Sequence, residues 1–172
     1  RDFRPMARMG GASIIRSEWQ RGCALSRKTL WAARDCDGRL RGMTRLTTLS
    51  GDTPAPFAFG TMQFGGKADE ADSRAMFDAC RAAGIAHFDT AYVYTDGASE
   101  TLLGRFAATE REALFIATKA SYTGGASRDN ILTTFDESRK RLGMDVVDLL
   151  YMHRWDGDTP LEETFETLAG LQ

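Results

Sequence analysis

The chain has 172 residues, 42% hydrophobic and 27% charged, with a formal net charge of −2, which is an ordinary globular composition. No run of roughly 18 or more apolar residues is present, so a membrane-spanning helix is excluded. Three cysteines without CxxC spacing and only two histidines argue against a disulfide framework or a zinc site. The expectation is a soluble, cytoplasmic protein without metal, membrane or nucleic-acid partners.

The net charge conceals a division. Residues 1–42 carry +6 and the remainder −8. The first segment shows no sustained helical or alternating period, and it lacks the apolar core of a secretory signal. Its arginine content would suit a transit peptide, which its tryptophans and glycines weaken. The charge alone would also suit a nucleic-acid-binding arm, a nonspecific signal. The reading adopted is that 1–42 is a basic extension of translated upstream sequence, with native coding beginning at Met43.

From Met43 the pattern becomes regular. Residues 43–49 and the turn Ser50-Gly51-Asp52 predict a short hairpin before a strand at 57–62. A helix is expected over 69–83, with Ala71, Ala75, Met76, Ala79, Cys80 and Ala83 on its apolar face, ended by Gly84. The second unit is a strand at 85–90 and a helix from Ser99-Glu100. The third is a strand at 114–119 and a helix over 127–142, stopped by Gly143. The fourth is a strand at 146–152 and a helix opening at Thr159, where Thr159-Pro160-Leu161-Glu162 reads as a capping box. Strand starts near 57, 85, 114 and 146 are spaced by 28, 29 and 32 residues. Repeated βα units at this spacing predict a parallel α/β sheet, in either an open doubly wound fold or a closed barrel. A full barrel needs about 250 residues and eight units.

Several motifs fail on inspection. Residues 61–68 imitate a phosphate loop around Gly66-Lys67, but Thr61 and Ala68 stand where the glycine and the Ser/Thr are needed. No GxGxxG, GxSxG or HExxH is present. Scattered carboxylates on a barrel would suit a glycosidase, yet nothing pairs two of them. What remains is a set of polar residues at the C-terminal ends of successive strands: Asp89, Lys119 and His153, with Tyr94 in the loop after Asp89. In a barrel that end is the catalytic face. The set suits carbonyl reduction, which requires a hydride donor and a proton donor to the developing alkoxide. A phenol can give that proton, and an ammonium stabilises the phenolate left behind. A carboxylate holds the ammonium, and a histidine can orient the substrate oxygen. His87, two residues before Asp89, is read as an internally bonded barrel-lining residue, and Tyr92 and Tyr151 as packing residues.

In order, Gly60-Thr61-Met62, Phe88-Asp89-Thr90-Ala91-Tyr92-Val93-Tyr94, Gly97-Ala98-Ser99-Glu100, Ala117-Thr118-Lys119, Ser138-Arg139-Lys140-Arg141-Leu142-Gly143 and Val147-Asp148-Leu149 through His153 resemble the aldo-keto reductase family. The resemblance implies the N-terminal half of a (β/α)8 TIM-type barrel, truncated after about four units. It implies a catalytic tetrad of Asp89, Tyr94, Lys119 and His153 acting on an aldehyde or ketone. NADPH is the implied cofactor, with Gly60, Thr61, Met62 and Asp89 near its nicotinamide. The family's remaining cofactor contacts come from strands five to eight, so this polypeptide alone is expected not to turn over. The alternative is a non-catalytic barrel relative acting as a regulatory or binding subunit.

Overall fold

The computed structural model describes residues 46–172, so the expectations for 1–42 and for a start at Met43 lie outside the described residues. Four strands alternate with four helices: β1 (Ala58–Gly60), α1 (Glu70–Ala82), β2 (His87–Asp89), α2 (Ala98–Ala107), β3 (Phe115–Ala120), α3 (Arg128–Leu142), β4 (Leu149–Met152) and α4 (Leu161–Gly170). The strands pair in parallel in the order β1-β2-β3-β4. A doubly wound sheet reverses its strand order at a switch point, whereas a barrel adds each strand beside the last. The observed order is the barrel's.

The ladders are shorter than the apolar runs suggested, although single hydrogen bonds prolong them. Thr61 N–H donates to Asp89 O at 2.8 Å and Thr90 N–H to Ala117 O at 2.9 Å. The expected hairpin is not formed among the described residues. Thr48 and Asp52 close the turn, with Thr48 N–H donating to Asp52 O at 2.9 Å, but no strand flanks it.

Helix α1 is rotated relative to its expected face. Its buried residues are Ser73, Phe77 and Cys80, while Ala71, Ala75, Met76, Ala79 and Ala83 are exposed. Alanines carry little apolar area, so one phenylalanine outweighs several of them in setting the helix phase. Phe77 stacks on Phe88 of β2 at 4.7 Å between centroids and tilts against Phe106 of α2 at 5.8 Å. Phe64, Leu103, Leu114, Ile116 and Leu142 continue this core between sheet and helices.

Helix starts follow local chemistry in two cases and depart from it in a third. Asp69 caps α1 by accepting from Asp72 N–H, and Ser127 caps α3 by accepting from Asn130 N–H. The expected capping box at Thr159 does not form. The Thr159 hydroxyl donates to Asp156 at 2.5 Å, and α4 begins at Leu161 behind Pro160 without a side-chain cap. The hydroxyl donates into the preceding loop, and with Pro160 at the N-cap position Thr159 lies one residue too early to cap the helix.

Candidate active site

The C-terminal ends of the strands converge on one rim. Parallel pairing sets Gly60 beside Asp89, Asp89 beside Ala117, and Lys119 beside Tyr151. His87 and Asp89 flank the fully buried Phe88 and face the opposite side from it, as strand alternation requires. Lys119 Nζ donates to Asp89 Oδ1 at 2.5 Å and to Thr90 O at 2.8 Å, and it lies 4.8 Å from the Tyr94 ring centroid. The Tyr94 ring meets His153 edge-on, with centroids 5.7 Å apart at 90°. The structure therefore brings Asp89, Tyr94, Lys119 and His153 into one cluster, although 64 residues separate the first from the last. The pairing is short and half-buried, so the ammonium is fixed in direction rather than free to roam.

His153 follows β4 directly, and its N–H donates to Ala120 O at 2.9 Å. Its Nδ1 is buried without a hydrogen-bond partner. Burial first, then the Lys119 charge, holds the imidazole below its ordinary value, so it is neutral near pH 7. A neutral imidazole can donate from one nitrogen without adding a charge to the rim.

Tyr94 opens the turn Tyr94–Gly97, and its position depends on an unusual backbone. Thr95 and Asp96 take left-handed angles of φ 48° and 53°, followed by Gly97 at φ 89°. Non-glycine residues adopt this region rarely and at a cost, so neighbours must hold them. Thr95 donates to Phe64 O at 2.7 Å and accepts from Ser99 N–H at 3.0 Å. Arg141 of α3 donates to Tyr92 O at 2.7 Å, covers the Tyr92 ring at 4.7 Å, and packs where a Cβ on Gly97 would fall at 2.6 Å.

Behind Arg141 lies Glu100, which is fully buried. Its Oε1 accepts from Thr118 at 2.7 Å, and its Oε2 lies 3.7 Å from Arg141 Nη1 with no hydrogen-bond partner. Burial pushes this carboxyl above its ordinary value. Glu100 and Arg141 were read in the sequence only as letters of a motif. The signal available was a glutamate at a helix start just before the apolar pair Leu102-Leu103, on a helix whose buried residues include Ser99, Leu102, Leu103 and Gly104, where a charge is buried only with a partner.

The residues expected near a cofactor divide. Gly60 has no atom within 4 Å of a would-be Cβ, and Met62 is 51% exposed, so both face open space at the rim. Thr61 is fully buried, within hydrogen-bonding distance of the Asp89 carbonyl and the Ser99 hydroxyl. His87 is half-buried against the edge of Phe115 at 4.7 Å, and its ring makes no hydrogen bond among the described residues, contrary to expectation. Tyr92 packs beneath Arg141, but Tyr151 is 43% exposed. Among the described residues no group of three His, Cys, Asp or Glu could hold a metal ion, and no helix is long and apolar enough to cross a membrane.

Comparison with known proteins identifies the family. The Aldo/keto reductase family model matches residues 56–172. The chain is 38% identical over 114 residues to a probable voltage-gated potassium channel subunit beta of Oryza sativa subsp. japonica, covering 61% of this chain and 35% of the relative. It is 41% identical over 99 residues to L-glyceraldehyde 3-phosphate reductase of Escherichia coli (strain K12), covering 50% of this chain and 29% of that protein. A solved aldo-keto reductase from Bacillus halodurans in its holo form superposes with a TM-score of 0.63 and 29% identity, over 74% of this chain and 45% of that one. The chain thus spans less than half the length of each, and its four βα units correspond to part of the (β/α)8 barrel. The matched span contains every described strand and helix and the whole rim cluster, and the chain belongs to the aldo/keto reductase family.

Proposed function

We propose that this segment carries the proton-donating half of an NADPH-dependent carbonyl reductase, acting in the cytoplasm on a small aldehyde or ketone. The observation that carries the reading is the Lys119 ammonium, bonded to Asp89 and held 4.8 Å from the Tyr94 ring. In the proposed reaction Tyr94 gives its hydroxyl proton to the carbonyl oxygen. Lys119 stabilises the phenolate that remains, and Asp89 keeps Lys119 charged and aimed. His153, neutral near pH 7, orients the substrate oxygen by a hydrogen bond.

NADPH fits the open end of the rim: Gly60 offers free space and Met62 and Asp89 border it, so these three would hold the nicotinamide end, with Thr61 bracing them from behind. When bound, it supplies the hydride that reaches the carbonyl carbon. Replacing Tyr94 with Phe in the full-length protein that carries this segment should lower NADPH oxidation with an aldehyde panel by about 10²–10⁴-fold. Undiminished turnover would overturn the assignment.

The 172-residue polypeptide by itself should not turn over, because the outer edges of β1 and β4 have no strand beside them among the described residues. Tight stoichiometric NADPH binding by this polypeptide in calorimetry would contradict that. The likeness to the rice channel subunit supports a second reading, in which the rim is retained in a binding subunit. The presence of all four rim residues favours the reductase.

A further inference from the structure

Beyond His153 the rim carries a positive charge that no carboxylate among the described residues answers. Of the eight arginines in 46–172, six form salt bridges, and Arg128 and Arg154 do not. Arg128 opens α3, where its backbone N–H donates to Glu163 Oε1 at 2.8 Å and no aromatic ring holds its guanidinium among the described residues. Arg154 is held: its guanidinium lies 5.1 Å from the Tyr122 ring centroid, and that ring meets His153 at 4.8 Å. Arg154, Tyr122, His153 and Tyr94 thus form a continuous series from a cation to the phenol.

The nearest acid in the loop does not neutralise this cation. The Asp156 carboxylate accepts from the Thr159 hydroxyl, from Ala126 N–H at 2.7 Å and from Asp158 N–H at 3.0 Å. These bonds hold it down to about 2, so it stays ionised yet turned into its own loop. Lys119 is likewise occupied by Asp89, which leaves Arg154 as the cation with capacity to spare. A guanidinium resting on an aromatic face keeps its fork of N–H donors in the ring plane's company and ready for a planar or tetrahedral oxyanion.

We infer that Arg154 and Tyr122 form a subsite for an anionic group, carboxylate or phosphate, carried on the carbonyl substrate. The inference rests on the reductase reading for the word substrate, but the subsite itself needs neither cofactor nor turnover. The Tyr122 ring stands between the guanidinium and the histidine, so the substituent would sit a few bonds from the carbonyl. Arg154 is exposed, so an anionic substituent would be favoured by the charge-assisted bonds it gains there, which a neutral carbonyl compound cannot make.

The chain has two histidines, so their C2–H resonances report on the rim and on a reference position. The 172-residue chain is titrated near neutral pH with inorganic phosphate, acetate and neutral acetamide, at ionic strength held constant with sodium chloride. Both anions should shift His153 saturably and leave His87 in place, while acetamide should do neither. Tighter phosphate binding assigns a phosphorylated carbonyl, and tighter acetate binding an oxo acid. R154Q should weaken anion binding roughly tenfold or more, the loss of a charge-assisted bond. R154K should fall between, keeping the charge and losing the fork, and R128Q, with the same change of charge, should match the parent. Anion binding unchanged in R154Q, or acetamide matching acetate, would overturn the subsite. Failure here leaves the reductase reading standing, because that reading is judged by Tyr94→Phe.

Discussion

Replacing Arg141 with methionine removes the cation facing a carboxylate that water does not reach. Glu100 is fully buried, with Oε2 unpartnered and 3.7 Å from Arg141 Nη1. Breaking a buried pair from one side costs about 3–5 kcal/mol. Protonation limits the cost: neutralising a carboxyl at its ordinary value of 4.5 would take about 3 kcal/mol at pH 7, at about 1.4 kcal/mol per pH unit, and burial already raises Glu100 above that value, so the limit lies below this. Losing the Arg141 bond to Tyr92 O adds about 1.5–3 kcal/mol. The expected destabilisation is therefore about 3–5 kcal/mol at pH 7. Burial raises the folded-state value of Glu100 above the unfolded one, and further once Arg141 is gone. Its contribution is then complete below about 4.5 and lost as pH rises through the folded value. At pH 5 the variant should thus lie closer to the parent, by up to about 2 kcal/mol. Urea unfolding followed by circular dichroism at the two pH values measures this, and a second substitution, E100Q, should recover most of the pH-dependent part. Equal losses at pH 5 and 7, with no recovery in the double variant, would refute the reasoning.

Gly104→Ala should destabilise despite the gain of about 1 kcal/mol that alanine brings to a helix interior. Its Cβ would fall 2.2 Å from the Leu142 carbonyl oxygen, a clash of backbone that pushes α2 from α3. The net loss, from urea midpoints, should be about 1–3 kcal/mol, and an unchanged or raised midpoint would sink the argument. Asp156→Asn should remove stability that is present above 3.8 and lost as pH falls through about 2. Thermal unfolding at pH 6 should separate the variant from the parent, and the gap should close near pH 2. Lys119→Met should move the His153 titration upward, because the Lys119 charge helps to hold it low, while Asp89→Asn should move it further down. Proton NMR of the two histidines reads both shifts, and a static His153 would dissolve the electrostatic cluster.

The sequence by itself was enough for the alternation of strand and helix, the ends of α1 and α3, and the strand-end positions of Asp89, Lys119 and His153. Those follow from local rules: spacing of apolar runs, glycine after a helix, and a capping side chain before one. Tertiary structure decided what competes across the chain. The phase of α1 went to Phe77 because Phe88 and Phe106 offer more area to bury than the alanine stripe can. The Thr159 hydroxyl donates to Asp156 in the loop, and the helix begins one residue later than the capping box predicts, with Pro160 at its N-cap. Tyr94 is presented by a turn of three left-handed residues that Arg141, through Tyr92 O, and the Phe64 carbonyl, through Thr95, brace from other parts of the chain, and no local pattern encodes those partners. Strand order, which separates a barrel from an open sheet, is likewise a statement about which edges meet in space, and the period of the βα units is the same in both.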